Sequence, residues 1–340
     1  MFESGSMHMR AAFMSAVGHV AVGDFVRPSP ADGEVLVQMH YASICGSDVH
    51  IVYDGFHNPD LLGRPGYPGH EGVGTVVEST VRNVPVGTKV LTVPHGQNGA
   101  CFAEYQVVDA AQVIPLDDRL DLRRALLAQQ LGTTVFGMKK FLPLNTPRED
   151  LPTLAVVIGA GSSGLFFLQH LIDRGVKVIV SDLNAKRLEV ASRIGAVGVV
   201  HEPRESIIDV VAERTHGSGV DLVVEAVGLD LTRGRAVEIV RPHGTIGFFG
   251  YPENKGLAPF PVERAFRKSL TMHWINGTQS EPGLSSFRTA IDLIETGRID
   301  IDYCTEKVYD LEDIDAALTS ARAQGDGYAK IGIALPGALT

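Results

Sequence analysis

The segment 153–183, TLAVVIGAGSSGLFFLQHLIDRGVKVIVSDL, places the strongest limits on how this chain can fold. Residues 154–158 form a continuous apolar run, as expected of a strand that is buried on both faces of a parallel sheet. A glycine-rich turn follows, then a helix-like stretch that ends at Gly175, and then a second apolar run, KVIVSD. Strand, helix and strand in this order predict a βαβ unit, which needs further parallel strands beside it.

Segments of the same kind continue beyond this unit. Three helix-like stretches, 187–196, 206–217 and 231–244, are each followed by a short apolar run typical of a strand. The alternation predicts an α/β fold with a doubly wound parallel sheet. The first third of the chain differs, because short runs such as EVLVQMHYA (34–42), separated by glycine and proline, predict a β-rich unit. A chain of 340 residues is long enough for two such domains.

Composition excludes several classes of protein. The formal net charge of −10 argues against a nucleic-acid partner. The chain has no apolar run near the ~18 residues of a membrane span, and its start lacks the apolar stretch of a signal peptide. The three cysteines, Cys45, Cys101 and Cys304, are too few and too far apart for a disulfide framework. We therefore expect a cytoplasmic protein that acts on small molecules and has no membrane partner.

The glycines of the βα turn, Gly159, Gly161 and Gly164, have the spacing G-x-G-x-x-G. On its own this spacing is a weak signal, because a tight turn without a ligand has the same residues. Its position between a strand and a helix favours a dinucleotide site. The backbone of the turn and the helix start, which includes Ser162 and Ser163, would bind a pyrophosphate through free N–H groups.

An acidic residue, Asp182, stands at the end of the second strand, where a dinucleotide-binding unit needs one. Its carboxylate would accept hydrogen bonds from the ribose hydroxyls and repel a 2′-phosphate, so NAD is favoured over NADP. Lys186 and Arg187 follow closely and could relieve that repulsion.

A second group of functional residues lies in 43–74, SICGSDVHIVYDGFHNPDLLGRPGYPGHEGVG. Cys45, His70 and Glu71 are all of types that bind a divalent metal. Each alone has an ordinary explanation, since a single cysteine is usually a core residue and a His–Glu pair is often a polar turn. Together, on glycine-flanked turns at the ends of predicted strands, they indicate a metal site. Asp48 would accept the second ring N–H of His70, as metal-bound histidines usually require.

The motifs ICGSDVH, PGHEGVGTVVE and VVIGAGSSG, with Asp182, resemble the zinc-dependent medium-chain dehydrogenase/reductase family over nearly the whole chain. The spacing from Cys45 to His70 is closer to the polyol branch than to the liver-type alcohol dehydrogenases. The resemblance implies a GroES-like catalytic domain of residues 1–131 and 276–340. It also implies a Rossmann NAD-binding domain of residues 132–275.

The resemblance further implies roles in catalysis. Cys45 and His70 match the first two zinc ligands of the family. Glu71 matches a glutamate that is a direct ligand in polyol-type enzymes and an outer or exchanging ligand elsewhere. Ser47 matches the hydroxyl that passes on the substrate proton, and His50 matches the imidazole that receives it.

Two more residues match cofactor positions, Thr134 behind the nicotinamide and Lys330 at the pyrophosphate.

The chain also departs from the family pattern. Gln129 and Gln130 stand where a third zinc ligand is expected, and glutamine is a weak ligand, so Glu71 becomes the expected third ligand. The four-cysteine lobe of a structural zinc is missing, so a single catalytic zinc ion is expected.

The resulting hypothesis is an NAD-dependent alcohol or polyol dehydrogenase that uses zinc as a Lewis acid. One alternative is a zinc-free quinone or enone reductase that uses NAD(P)H, and another is a non-catalytic NAD-binding protein. The substrate class is a secondary alcohol, a polyol or a sugar, and fold analogy cannot choose among these.

A homo-oligomer is expected, since LTMHWING (270–277) has the character of an edge strand able to pair across a two-fold axis.

Overall fold

The computed structural model describes residues 7–338 of the chain. Fifteen strands lie within these residues. They are β1 (His8–Ala16), β2 (His19–Val26), β3 (Glu34–Ile44), β4 (Glu71–Ser79), β5 (Lys89–Thr92), β6 (Tyr105–Asp109), β7 (Val113–Pro115), β8 (Leu154–Ile158), β9 (Lys177–Asp182), β10 (Gly198–His201), β11 (Val220–Glu225), β12 (Val240–Phe248), β13 (Thr271–Trp274), β14 (Val308–Asp310) and β15 (Ile331–Ala334).

Ten α-helices connect and cover the strands of the described residues. They are α1 (Gly46–Tyr53), α2 (Leu122–Leu126), α3 (Ala128–Phe141), α4 (Ser162–Asp173), α5 (Ala185–Ile194), α6 (Ile207–Arg214), α7 (Asp230–Ile239), α8 (Val262–Arg267), α9 (Ser285–Glu295) and α10 (Ile314–Arg322). Within residues 7–338, none of the helices combines the length and the apolar character needed to cross a bilayer.

Contacts between residues divide the chain into two compact units. The first unit contains the residues up to Gln130, the segment Gln279–Asp326 and the residues from Lys330 on. The second unit contains Leu131–Thr278 together with the short segment Gly327–Ala329. The domain junctions predicted from the sequence are 131/132 and 275/276, and that prediction has no separate segment at Gly327–Ala329.

The first unit is built around the long strand β3. This strand pairs antiparallel with β4, β6 and β15, and the sheet order is β14-β15-β3-β4-β5-β7. Strands β1 and β2 form a separate antiparallel pair. The apolar side chains of β3, such as Val37 and Met39, are fully buried and belong to one core with Tyr67 and Phe102. The predicted β-rich unit is confirmed.

The second unit has a six-stranded sheet in which every neighbouring pair is parallel. The strand order is β10-β9-β8-β11-β12-β13, so the chain direction across the sheet reverses between β8 and β11. This is the order of a doubly wound dinucleotide-binding fold, in which ligands bind beyond the carboxyl ends of the strands at the reversal. The predicted α/β class is confirmed, and β13 lies at the sheet edge as predicted.

Candidate functional site

The thiol of Cys45 is placed at the junction between β3 and α1. The strand ends at Ile44 and the helix begins at Gly46, so Cys45 is the N-cap residue with extended backbone angles. The Asp48 side chain accepts a hydrogen bond from the Cys45 backbone N–H at 2.9 Å. A carboxylate at this position stabilises the start of a helix, and here it also fixes the backbone that carries the thiol.

The pairing of β3 with β4 brings Glu71 to the end of β3. Glu71 is the first residue of β4, and in the antiparallel register it lies opposite Ser43. The Ser43 hydroxyl donates a hydrogen bond to Glu71 Oε2. The register therefore places His70 and Glu71 close to Cys45, although 24 residues lie between Cys45 and His70.

One ligand atom from each of Cys45, His70 and Glu71 lies within 4.8 Å of the corresponding atoms of the other two. Zinc binds sulfur, imidazole nitrogen and carboxylate oxygen at about 2.0–2.3 Å. Three donors at this spacing can share one such ion. The chemistry of the donor set therefore fits the zinc site for which the sequence analysis proposes these residues.

The His70 ring is oriented by a buried carboxylate. Asp48 Oδ1 lies 2.9 Å from His70 Nδ1, which confirms the hydrogen bond predicted from the sequence. Burial by itself would lower the pKa of His70, but Asp48 raises it well above its ordinary value. Because Nδ1 is engaged with Asp48, Nε2 is the nitrogen available to a metal, and Ser47 Oγ lies 3.5 Å from it.

Glu71 has a second partner, the ammonium group of Lys330. Lys330 Nζ lies 2.6 Å from Glu71 Oε2, and both side chains are buried. Burial alone would raise the pKa of Glu71. The nearby Lys330 and His70 have the larger combined effect and lower the pKa below its ordinary value, so the group is an ionised carboxylate. The family resemblance assigns Lys330 to the pyrophosphate, and that role stays a prediction. In the structure its ammonium lies beside a buried carboxylate of the candidate metal cluster.

Gln129 also contacts the cluster, because its side chain binds the backbone of His70. Its Nε2 donates to the carbonyl oxygen of His70 at 3.2 Å, and the side chain is buried. The glutamine at the position of the third family ligand thus supports the backbone of a candidate ligand. The sequence gives no signal for this contact or for the Ser43 contact with Glu71.

The second residue of the predicted proton relay, His50, lies one turn beyond Ser47 on α1. Its Nδ1 lies 2.8 Å from Asp54 Oδ2, and its side chain is 20% exposed. Residues three apart on a helix lie on the same side of it. Ser47 and His50 therefore lie on the same side of α1, and Ser47 Oγ is 3.5 Å from His70 Nε2.

The other two cysteines are core residues, as predicted. Cys101 and Cys304 are buried free thiols. Burial raises the pKa of Cys101 to about 12, and it also raises the pKa of Cys304. Neither thiol is an activated thiolate.

The glycine-rich turn of the second unit has the local geometry that a pyrophosphate needs. Gly159 follows β8 with φ +99°, a conformation that favours glycine. A Cβ on Gly164 would lie 1.8 Å from the Gly159 carbonyl oxygen, so helix α4 packs against the turn only with glycine there. A Cβ on Gly161 would meet nothing within 4 Å, which leaves open space above the N-cap of α4.

Asp182 is fixed at the end of β9 by two backbone groups. Its Oδ2 accepts the Ala160 N–H at 2.6 Å, and its Oδ1 accepts the Asn184 N–H at 2.7 Å. Each carboxylate oxygen can accept about two hydrogen bonds, so capacity for two ribose hydroxyls remains. The residues of the turn and Asp182 therefore fit a dinucleotide.

The segment Gly327–Ala329 packs beside this turn, which the sequence analysis missed. The Ala329 carbonyl accepts a hydrogen bond from the Ser162 N–H at 3.2 Å. The first N–H group of α4 is therefore already hydrogen-bonded, although the sequence predicts it to be free. The Tyr328 carbonyl accepts two hydrogen bonds from the Arg187 guanidinium, at 2.9 and 3.2 Å. Gly327 lies against the side chain of Lys186. Arg187 is thus held by the segment and has less freedom to reach a 2′-phosphate.

Thr134 lies in α3 and its side chain is fully buried. Its hydroxyl donates to the Leu131 carbonyl at 2.8 Å and lies 3.0 Å from His170 Nε2. Burial lowers the pKa of His170 to about 4, against an opposing effect of Asp173. The neutral imidazole can therefore donate to Thr134. Its role behind a nicotinamide stays a prediction.

Comparison with known proteins gives matches along most of the chain. A family model described as alcohol dehydrogenase GroES-like domain matches residues 31–118. A second, described as zinc-binding dehydrogenase, matches residues 164–296, and the two together span more than half of the chain.

Similar proteins match over almost their whole length. The D-arabitol-phosphate dehydrogenase of Enterococcus avium is 28% identical over 340 residues, with 91% of this chain and 93% of the relative covered. An alcohol dehydrogenase of Cupriavidus necator is 28% identical, with 96% and 98% covered. Among solved structures, the alcohol dehydrogenase of Thermus sp. ATN1 has a TM-score of 0.79 at 24% identity, with 96% of this chain and 100% of that chain covered.

Proposed function

The chain belongs to the zinc-dependent medium-chain dehydrogenase/reductase family, and on that premise we propose that it oxidises a secondary alcohol or a polyol to the ketone with NAD⁺. The observation that carries the proposal is the approach of the Cys45, His70 and Glu71 ligand atoms to within 4.8 Å of one another. The relatives support an alcohol or polyol dehydrogenase and do not favour a zinc-free reductase.

Cys45, His70 and Glu71 would hold a single zinc ion. Three protein ligands are typical of a catalytic zinc site, whereas structural sites have four. When bound, the ion would supply Lewis acidity that lowers the pKa of the substrate hydroxyl. The residues around the ligands have supporting roles, since Asp48 orients the imidazole and Gln129 holds the backbone of His70.

The proton of the substrate hydroxyl would leave through residues of α1. Ser47 Oγ is within 3.5 Å of His70 Nε2, so a hydroxyl group stands at the edge of the ligand set. We assign Ser47 Oγ to accept the proton and His50 to carry it outward. The partial exposure of His50 and its contact with Asp54 support a role as the outer proton acceptor.

The glycine turn and Asp182 would hold a dinucleotide, which would supply the hydride acceptor. Asp182 retains one acceptor site on each oxygen, which suits the two ribose hydroxyls of NAD. A 2′-phosphate would meet that carboxylate, and Arg187 is held by the Tyr328 carbonyl. NAD is therefore the proposed cofactor.

The proposed substrate class is a polyol or another secondary alcohol. The relative from Enterococcus avium is named for D-arabitol phosphate, a phosphorylated polyol. Buried charge and hydroxyl groups around Glu71 form a polar cluster, compatible with a hydroxyl-bearing substrate.

One experiment combines metal analysis with a substrate panel. Purified protein is dialysed exhaustively, its zinc content is measured, and NAD⁺ and NADP⁺ reduction is followed with secondary alcohols, polyols and polyol phosphates. We expect one zinc ion per chain, and turnover of at least one polyol with NAD⁺. Cys45→Ala should lose both zinc and turnover, whereas the control Cys304→Ala should keep both. A zinc-loaded wild type that is inactive on the whole panel would show the proposal to be wrong.

We also propose that the chain forms a homo-oligomer through the edge of the second unit's sheet. Strand β13 pairs only with β12 among the described strands, and Trp274 on it is 60% exposed. A second copy could add its own β13 across a two-fold axis and cover this residue. Light scattering of the wild type against Trp274→Lys tests it, with a smaller species expected for the variant.

A cytoplasmic location is proposed from the three free thiols.

A further inference from the structure

Three buried side chains from distant parts of the sequence meet at one oxygen atom. Glu71 Oε2 receives the Ser43 hydroxyl and lies 2.6 Å from Lys330 Nζ. The exposed fractions of Ser43, Glu71 and Lys330 are 1%, 2% and 5%. Water therefore screens these groups little, and their charges act strongly on one another.

Ser43 and Lys330 determine which carboxylate oxygen of Glu71 remains for a metal ion. Both groups act on the same oxygen, since the Ser43 hydroxyl donates to Oε2 and the Lys330 ammonium forms its ion pair with Oε2. Oε1 is the oxygen that remains for a metal. Glu71 is thus arranged to bind through one oxygen only.

Lys330 brings a positive charge to the candidate metal cluster through Glu71. Its ammonium nitrogen forms a buried ion pair with Glu71 Oε2 at 2.6 Å. With zinc bound, Cys45 would be a thiolate, so Cys45, Asp48 and Glu71 would bring three negative charges to the cluster. The ammonium neutralises one of them, so a divalent ion meets only the charge that it needs.

We propose that Lys330 is a positioning residue that limits how tightly the chain holds its metal ion. Its ammonium repels the ion and shares the Glu71 carboxylate with it, so the site keeps zinc in an exchangeable form. The idea rests on the proposed function in one respect, namely that Cys45, His70 and Glu71 form the zinc site. Loss of the charge at 330 should strengthen zinc binding and should not weaken it.

Three substitutions separate charge from hydrogen bonding. Lys330→Arg keeps the charge and the donors, Lys330→Gln keeps a donor without the charge, and Lys330→Met removes both. Zinc affinity is measured at pH 8 by competition with a chromophoric chelator, and zinc release is timed by transfer to the same chelator. Cobalt-loaded protein gives an absorption spectrum that reports the ligand set without any turnover.

We expect Lys330→Gln and Lys330→Met to bind zinc about tenfold more tightly and to release it more slowly than the wild type. Lys330→Arg should resemble the wild type. Affinity in the Gln and Met variants that equals or falls below the wild type overturns the proposal, because a merely structural lysine changes thermal stability and not metal affinity. Should those two variants not fold, a crystal structure of zinc-soaked wild type decides it. Glu71 bound through Oε1 alone, with Lys330 on Oε2, supports the proposal, and two-oxygen binding overturns it.

The outcomes also separate this inference from the proposed function. A wild type that binds zinc with no change in the variants defeats the inference alone. A wild type that binds no zinc defeats the zinc-dependent function, and the inference then survives only if Lys330→Met gains zinc binding.

Discussion

Asp48 reaches two parts of the candidate metal cluster at once. One carboxylate oxygen lies 2.9 Å from His70 Nδ1, and the other accepts the Cys45 backbone N–H at 2.9 Å. A single fully buried side chain therefore orients two candidate ligands that are far apart in the sequence.

Asp48→Asn keeps the shape of this side chain and removes its charge. We expect zinc affinity to fall about 10- to 100-fold, since the partner of a metal-bound imidazole fixes its tautomer and basicity. Chelator competition measures the affinity, with Asp54→Asn, directly after the end of the same helix, as the control. Equal zinc affinity in wild type and Asp48→Asn would show that His70 does not depend on this contact.

Ser47→Ala removes the first hydroxyl of the proposed relay. Turnover should fall about 10²-fold or more, as expected when a general acid–base group is lost. Affinity for NAD, measured by tryptophan or cofactor fluorescence, should stay the same. A loss of NAD affinity as large as the loss of turnover would contradict the relay.

Gly164→Ala and Gly161→Ala make a matched pair in the glycine turn. The Cβ at 164 would collide with the Gly159 carbonyl, so we expect a loss of about 1–3 kcal/mol in stability. The Cβ at 161 meets open space, so thermal stability should hardly change while NAD binding weakens. Melting curves and NAD titration distinguish the two. If Gly161→Ala binds NAD normally, the open space is not where the pyrophosphate lies.

Asp182→Ser tests the choice of cofactor. Without the carboxylate, the ratio of kcat/KM for NAD to that for NADP should fall at least about tenfold, because the 2′-phosphate no longer meets a negative charge. Arg187 should limit the gain for NADP, since Tyr328 holds it. Steady-state kinetics with both cofactors measures the ratio, and an unchanged ratio would remove Asp182 from the specificity argument.

His170 should make stability depend on pH. Its pKa in the folded chain is about 4, below the ordinary 6.5, because burial disfavours the charged ring. As pH falls, His170 takes up a proton in the unfolded chain before it does so in the folded chain. The stabilisation that comes from this difference is complete above pH about 6.5. It is lost as pH falls to about 4, and the loss in the free energy of unfolding is ~3 kcal/mol at most. His170→Gln should lose less stability over that range in denaturant unfolding, with exposed His19→Gln as the control. Identical slopes for wild type and His170→Gln would refute it.

Much of the second unit could be predicted because its sequence pattern is local. Strand β8 is a continuous apolar run that is buried almost throughout, and the glycine turn follows it directly. Helix α1 could not be predicted in the same way, since Gly46 and the β-branched Val49, Ile51 and Val52 disfavour a helix. Burial of Ile51 and Val52 and the Asp48 contact at the helix start stabilise it instead.

The metal cluster was predictable in its residue types but not in its supporting contacts. Cys45, His70 and Glu71 are all of types that bind a divalent metal, and together they indicate a site. The position of Lys330 depends on β15 pairing with β3, in the register that sets Ile331 opposite Ile44. Strand register over such a distance is a tertiary property that no local pattern in the sequence reports.

The insertion of the second unit within the first has a consequence for how the protein is made on the ribosome. Cys45, His70 and Glu71 emerge early, whereas Lys330 and β15 emerge only after Leu131–Thr278. Until the last strand docks, the Glu71 carboxylate has no ammonium beside it. A nascent chain can therefore pair β3 with β4 early, yet its buried acid gains its counter-charge only near the end of translation.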